Sequence, residues 1–234
     1  MAFTHFPSAI VDAQNAYYSG LTGAYLILTS ASDYDATPAT TMASVINRET
    51  PQTNGYQRVA FAPPTAVWNA AKLRSEAGQV SITQTAAGGI IQFDRMALIK
   101  GASATASRSV LLIDATAHKL NFVLATPHGL IANDRVMVTA DATGTVSPEL
   151  PLQILYVVNP IDTTAERSIQ LSLTSGGSAI AFSAGILPIR VRYANGSLVG
   201  FETFNATTTV ANGGSQPITL NLNWGTGLSD VNAV

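Results

Sequence analysis

The chain contains no cysteine. Disulfides, thiolate-bound metals and cysteine nucleophiles are therefore excluded, and the redox compartment is left open. Charge is almost as scarce, at 11% of 234 residues, against about 25% in an ordinary soluble domain. The 12 basic and 14 acidic side chains give a net charge of -2 and form no run of either sign. A phosphate backbone or an anionic membrane surface calls for a clustered basic face, so neither nucleic acid nor membrane is expected as a partner. No stretch approaches the ~18 uninterrupted apolar residues of a membrane span. Met1-Ala2-Phe3-Thr4-His5-Phe6-Pro7 lacks the basic stretch and apolar run of a secretory signal. The expectation is synthesis in the cytoplasm and use without processing.

What is present is apolar. The 47% hydrophobic content and mean hydropathy of +0.24 exclude a disordered chain, and this length often makes one or two domains. Thr, Ser, Asn, Gln and Gly must cover the surface that charge leaves bare. These residues suit strands and turns, and they lie against another protein at low desolvation cost. Extensive protein–protein burial is the expectation.

Hydrophobic periodicity points to an all-β fold. Ser8 to Tyr18 is read as about three turns of helix, capped by Ser8 and stopped by Gly20. Ala24-Tyr25-Leu26-Ile27-Leu28-Thr29 is a continuous apolar run, too short for a typical helix, and reads as a buried strand. The connection Ser30 to Gly55 is long enough to be functional or to hide a short helix such as Thr41 to Arg48. Tyr56 to Ala62, Gln79 to Thr85, Gly89 to Phe93, Met96 to Ile99 and Ser109 to Asp114 read as strands, with Thr65 to Ala77 as a helix-like alternative. Short strands between Gly, Ser and Asn turns indicate a sandwich or barrel.

Leu120 to Leu124, Arg135 to Thr139, Ile154 to Val158, Ile169 to Leu173 and Ile180 to Phe182 give five short strands in roughly 75 residues, the pattern of a small Greek-key or barrel-like module. Longer strands return at Ile189 to Tyr193, Leu198 to Phe204 and Ile218 to Leu222. Asn195-Gly196 between two alternating runs signals a two-residue hairpin. The fold expected is a discontinuous β-sandwich with a small inserted β-barrel-like domain and an N-terminal arm. Its parts are an arm at 1–19, a sandwich at 20–114 and 188–234, and an insert at 115–187.

Asn54-Gly55-Tyr56-Gln57-Arg58-Val59-Ala60-Phe61, with Trp68 after it and Asn195-Gly196-Ser197-Leu198-Val199-Gly200-Phe201 later, resembles a loose pattern in tailed-bacteriophage virion proteins. There a GYxR strand opens a β-sandwich and a glycine-flanked hairpin closes it. Pro127-His128-Gly129-Leu130, Asp134-Arg135-Val136, Tyr156-Val157-Val158 and Gln170-Leu171-Ser172-Leu173 resemble a second small module scattered through phage tail, baseplate and capsid-accessory proteins. Asn133 stands where a Gly is common, and Pro63-Pro64-Thr65 replaces the usual turn. The resemblance spans residues 20 to 225 and implies virion assembly, without choosing head or tail.

Reactive chemistry is sparse. His5, His118 and His128 share no metal-ligand spacing. A ligand role for His118 and His128, near Asp114, ranks below a structural one in which His128 sits in a Pro-His-Gly turn and hydrogen-bonds backbone. No nucleophile elbow or phosphate loop appears, and Ser175-Gly176-Gly177-Ser178 and Asn212-Gly213-Gly214-Ser215 read as hairpin turns. Asp33-Tyr34-Asp35 has too few neighbours for a Ca²⁺ site. Asp94, Asp114, Asp134, Glu149 and Glu202 are available for paired-carboxylate chemistry, but sequence brings no pair together. Trp68 and Trp224 read as core or interface anchors.

The function expected is a non-enzymatic virion structural protein without catalytic residue, cofactor or metal. The leading reading is a capsid decoration or cement protein; the alternative is a baseplate or tail-fibre component binding a host surface glycan. Its partners would be the major capsid protein or tail proteins, and its own copies in a homo-oligomer. Candidate interface residues are those of the arm, Phe3, Phe6, Ile10, Val11, Tyr17 and Tyr18, too apolar a set for a bare tail.

Overall fold

The computed structural model describes residues 7–21, 23–29, 41–50, 52–62, 64–141 and 143–225. Its helices are Pro7–Ser19 (α1) and Met42–Arg48 (α2). The strands of its first half are Ala24–Thr29 (β1), Val59–Ala60 (β2), Val67–Asn69 (β3), Arg74–Thr85 (β4), Ile91–Lys100 (β5), Ser107–Ser109 (β6) and Leu112–Asp114 (β7). Those of the second half are Lys119–Asn121 (β8), Arg135–Ala140 (β9), Leu155–Asp162 (β10), Arg167–Ser172 (β11), Ile189–Tyr193 (β12), Ser197–Val210 (β13) and Ser215–Gly225 (β14). The molecule is mostly β. Antiparallel pairing gives a four-stranded sheet in the order β13-β5-β1-β2, a three-stranded sheet β14-β4-β3 and a seven-stranded sheet β6-β12-β9-β10-β11-β8-β7.

Alternation along β1 explains how these sheets stack. Leu26 and Leu28 enter an apolar cluster with Ile82 of β4, Phe93 of β5 and Ile218 of β14. Ile27, on the opposite face, packs with Val45 and Ile46 of α2, Ile99 of β5 and Met137 of β9. The four-stranded sheet is thus buried on both faces, which is why its β1 segment is an unbroken apolar run rather than an alternating one. Truncating Ile27, which has no exposure, to Ala would cost about 2 to 5 kcal/mol. A third cluster, including Leu120, Val136, Leu155, Ile169 and Val191, lines the inner face of the seven-stranded sheet.

That sheet is not a closed barrel, contrary to the expectation for the insert. Its end strands β6 and β7 pair with β12 and β8 respectively, not with each other. They are successive pieces of one segment, bent at Val110-Leu111, where Val110 donates to Ile189 O at 3.0 Å and Leu111 to Asn121 O at 2.8 Å. Two residues cannot span a flat seven-stranded sheet, so the sheet must curl. Its strands run from Ser107 to Tyr193, wider than 115–187. Ile180 to Phe182 is not a strand, although Ile180 donates to Leu171 O at 2.7 Å.

Two turns expected as hairpins are sheet-to-sheet passages. Asn195-Gly196 carries the chain from β12 in the seven-stranded sheet to β13 in the four-stranded one. Asn195 Oδ1 accepts from Arg135 N at 2.7 Å and its Nδ2 donates to Asp134 Oδ1 at 2.8 Å, so long-range contacts rather than strand pairing fix the turn. Asn212-Gly213-Gly214 passes from β13 to β14 in the three-stranded sheet, and meets the matching β4-to-β5 corner through Ala86 N to Gly214 O at 3.0 Å and Gly213 N to Ala86 O at 2.9 Å. Thr65 to Ala77 is the β3–β4 hairpin and not a helix.

Both helices fall where the sequence places them. Thr41 caps α2 reciprocally: its Oγ1 accepts from Ser44 N at 3.3 Å and its N–H donates to Ser44 Oγ at 3.1 Å, a capping box. Helix α1 lies on β3 and β4 of its own chain. Tyr18 is buried against Phe61, with ring centroids 6.4 Å apart, Val11 packs on the same core, and Asn15 Oδ1 accepts from Ala66 N at 2.7 Å. Of the six arm residues expected to meet a neighbour, Tyr18 and Val11 therefore serve the chain's own core. Ile10 is half-buried and Tyr17 exposed; Phe3 and Phe6 lie outside the described residues.

Candidate functional site

A buried polar constellation lies where the four- and seven-stranded sheets meet. Glu49, at the end of α2, forms an isolated β-bridge with Thr29, which turns its carboxylate inward. Gly55 follows at φ +82, and a Cβ there would stand 2.8 Å from Ala87 N, so only glycine permits this approach. The turn delivers Tyr56 and Arg58 to the same carboxylate. Arg58 donates from Nε to Oε1 at 2.7 Å and from Nη2 to Oε2 at 2.6 Å, and Tyr56 OH donates to Oε1 at 3.0 Å. Tyr56 in turn accepts from Leu28 N of β1 at 3.1 Å.

The same group reaches into the seven-stranded sheet. Arg58 Nη2 donates to Tyr193 O at 2.8 Å and Nη1 to Ser103 O at 3.0 Å. Arg192 of β12 donates from Nη1 to Glu49 O at 2.8 Å and from Nε to Thr139 Oγ1 at 2.9 Å. Burial, reinforced by the Glu49 charge, raises the Tyr56 pKa well above its ordinary value. Burial opposes the Arg58 charge, but Glu49 outweighs it and the pKa is raised. Arg192, where burial dominates, is lowered. Buried charges persist only when paired and hydrogen-bonded, and both carboxylate oxygens of Glu49 are engaged. The site locks layers together and leaves no carboxylate oxygen or phenol open to a substrate.

The histidines are likewise turn-builders. His128 Nδ1 accepts from Leu130 N at 3.0 Å, which assigns the ring proton to Nε2, donating to Ile161 O at 2.9 Å. Asp162 receives the N–H groups of His128 at 3.3 Å and Gly129 at 2.9 Å. Tyr193 OH donates to His128 O. His118, at φ +53, sets its Nδ1 against the backbone of Phe182. The structure does not gather the two histidines with Asp114, whose Oδ1 accepts from Thr116 N at 3.0 Å and Ala117 N at 2.8 Å in its own turn. Among the described residues no group of three or more His, Asp or Glu has a metal-holding arrangement. Asp33-Tyr34-Asp35 and His5 lie outside those residues.

Nor do Asp94, Asp114, Asp134 and Glu149 pair; the side chain of Glu202 lies outside the described residues. Asp94 lies 3.2 Å from Arg95 and Asp134 caps the Ile131 N–H at 2.9 Å. Glu149 accepts from Ser147 Oγ and from Ser183 N and Oγ, and these hydrogen bonds hold its pKa down at about 2. An open groove of about 420 Å³ runs past Gln57, Arg58, Thr83, Gln84 and Thr85, and another of about 430 Å³ past Asn47, Val138, Val146, Leu150 and Leu152. Neither combines a nucleophile with a base. No described helix is long and apolar enough to cross a membrane. Comparison with protein-family models, with curated proteins and with solved structures returned no match.

Proposed function

We propose that this chain is a non-enzymatic structural protein of a tailed-phage particle, decorating or cementing the head. The observation behind this reading is the distribution of large apolar side chains at the surface. Leu112, Ile131, Leu152 and Ile186 are between 57% and 67% exposed and belong to different turns and strands. Single exposed aliphatic groups are ordinary, but Leu111-Leu112, Val123-Leu124 and Ile186-Leu187 are exposed as adjacent pairs, and a subunit with protein neighbours would cover them. Scarce charge agrees, because charged residues are depleted at interface centres. The phage assignment rests on the sequence resemblance, and two of its residues, Tyr56 and Arg58, are those on which the interlayer hub is built. The fold reading that accompanies it is a β-sandwich of the four- and three-stranded sheets, with the seven-stranded unit inserted between β5 and β13.

Gold-labelled antibody against the protein, applied to purified particles, tests this assignment. Label over the heads is expected. Label confined to the tail or baseplate would favour the glycan-binding alternative, and unlabelled particles would contradict both. Purified protein should also release no product from peptidoglycan, capsular polysaccharide or ester substrates.

A further inference from the structure

The β3–β4 hairpin has a tip that its own fold does not explain. Asn69 pairs with Arg74 across a four-residue loop, Ala70-Ala71-Lys72-Leu73. Leu73 sits at φ +50 and is 62% exposed. A branched side chain in the left-handed region is strained, and here no burial of the side chain offsets that strain.

The loop is nevertheless held firmly. Glu76 accepts from Asn69 Nδ2 at 2.9 Å, Lys72 Nζ at 3.0 Å and Arg74 Nε at 2.8 Å, while Lys72 N donates to Asn69 Oδ1 at 3.1 Å. In a chain with so little charge, two cations and one carboxylate within five residues give the tip a local positive excess. The result is a stiff turn that presents one leucine between two basic side chains. Strain held in place at an exposed position points to function, and preorganisation lowers the ordering cost of binding.

We infer that this tip is a docking knob, with Leu73 entering an apolar pocket on another protein of the particle and the one positive charge that Glu76 leaves uncompensated meeting an acidic pocket rim. This deepens the virion reading and rests on it. Charge complementarity selects the partner: an acidic rim steers the basic tip in and fixes its register, and the apolar pocket supplies affinity.

Leu73→Gly separates the knob from a fold-supporting role, because glycine accepts the positive φ and deletes the side chain. Wild-type and L73G protein are compared in melting temperature, in sedimentation and in copies per purified particle by quantitative mass spectrometry. The expected result is a melting temperature no lower than wild type with copy number reduced about tenfold or more, the scale of losing one buried leucine. Equal incorporation, or a lowered melting temperature, would overturn the knob while leaving the virion reading intact. Self-association of the wild type that L73G abolishes would make the occupant a second copy instead. Absence of the wild type from particles would overturn the virion reading and the particle partner with it.

Discussion

Arg58 grips Glu49 through two parallel hydrogen bonds of 2.7 and 2.6 Å, and neither side chain has any exposure to solvent. Because Arg58 also holds Tyr193 O and Arg192 holds Glu49 O, this pair ties α2 and the Gly55 turn to the seven-stranded sheet. Removing one member leaves the other charge buried alone. Arg58→Ala should therefore lose about 3 to 5 kcal/mol of unfolding free energy, read by urea denaturation. The double replacement Glu49→Leu with Arg58→Met should lose less than the single one. A loss within about 1 kcal/mol for Arg58→Ala would show that the pair is not a structural lock.

Alkaline titration addresses the same junction from the other side. Burial pushes the Tyr193 phenol up to about 12 from 10.0, and Tyr56 is raised well above that ordinary value too. A group whose folded pKa is raised contributes stability that is complete below its unfolded pKa and fades as pH climbs through the folded one. The melting temperature should thus hold to about pH 10 and fall steeply toward pH 12, with Tyr193 accounting for about 2 to 3 kcal/mol. Ultraviolet absorbance should show at least two tyrosines, Tyr56 and Tyr193, ionising only as the protein unfolds. Ionisation of all tyrosines near pH 10 in the native state would contradict the buried positions.

Acid should loosen particular turns before the layers separate. Glu149, held by Ser147 and Ser183, and Glu76, held by Asn69, Lys72 and Arg74, both have pKa values lowered from 4.5 to about 2. Depressed carboxylates stabilise the fold fully above their unfolded pKa and lose that contribution as pH falls through the folded one. Hydrogen exchange at Ser183 and around the β3–β4 tip should accelerate between pH 4.5 and pH 2, after correction for intrinsic exchange. Unchanged protection across that window would remove these contacts from the account.

Strands buried on one or two faces were legible from residue pattern alone. Ala24–Thr29 and Ile189–Tyr193 are both β-strands with the bounds expected, and the short helix expected from Thr41 to Arg48 is α2, Met42–Arg48. Pairing was less legible, because turn chemistry is local and sheet membership is not. Asn195-Gly196 has the residues of a hairpin, yet its partners Asp134 and Arg135 lie about sixty residues away. The hub escaped detection for a related reason. Arg190 and Arg192 alternate with apolar residues as a solvent-facing row would, but both are buried, with Asp141 and Glu49 as partners. Of the hub, the GYxR resemblance singled out Tyr56 and Arg58; nothing near Glu49 in sequence marks it as their acceptor.

The proposal is that this chain is a structural subunit of a phage particle, whose neighbours would cover its exposed apolar side chains. Counting copies per particle by quantitative mass spectrometry of purified virions tests this most directly. The account predicts hundreds of copies in each head. A handful in multiples of three or six would place the protein in the tail, and complete absence from purified particles would contradict the claim.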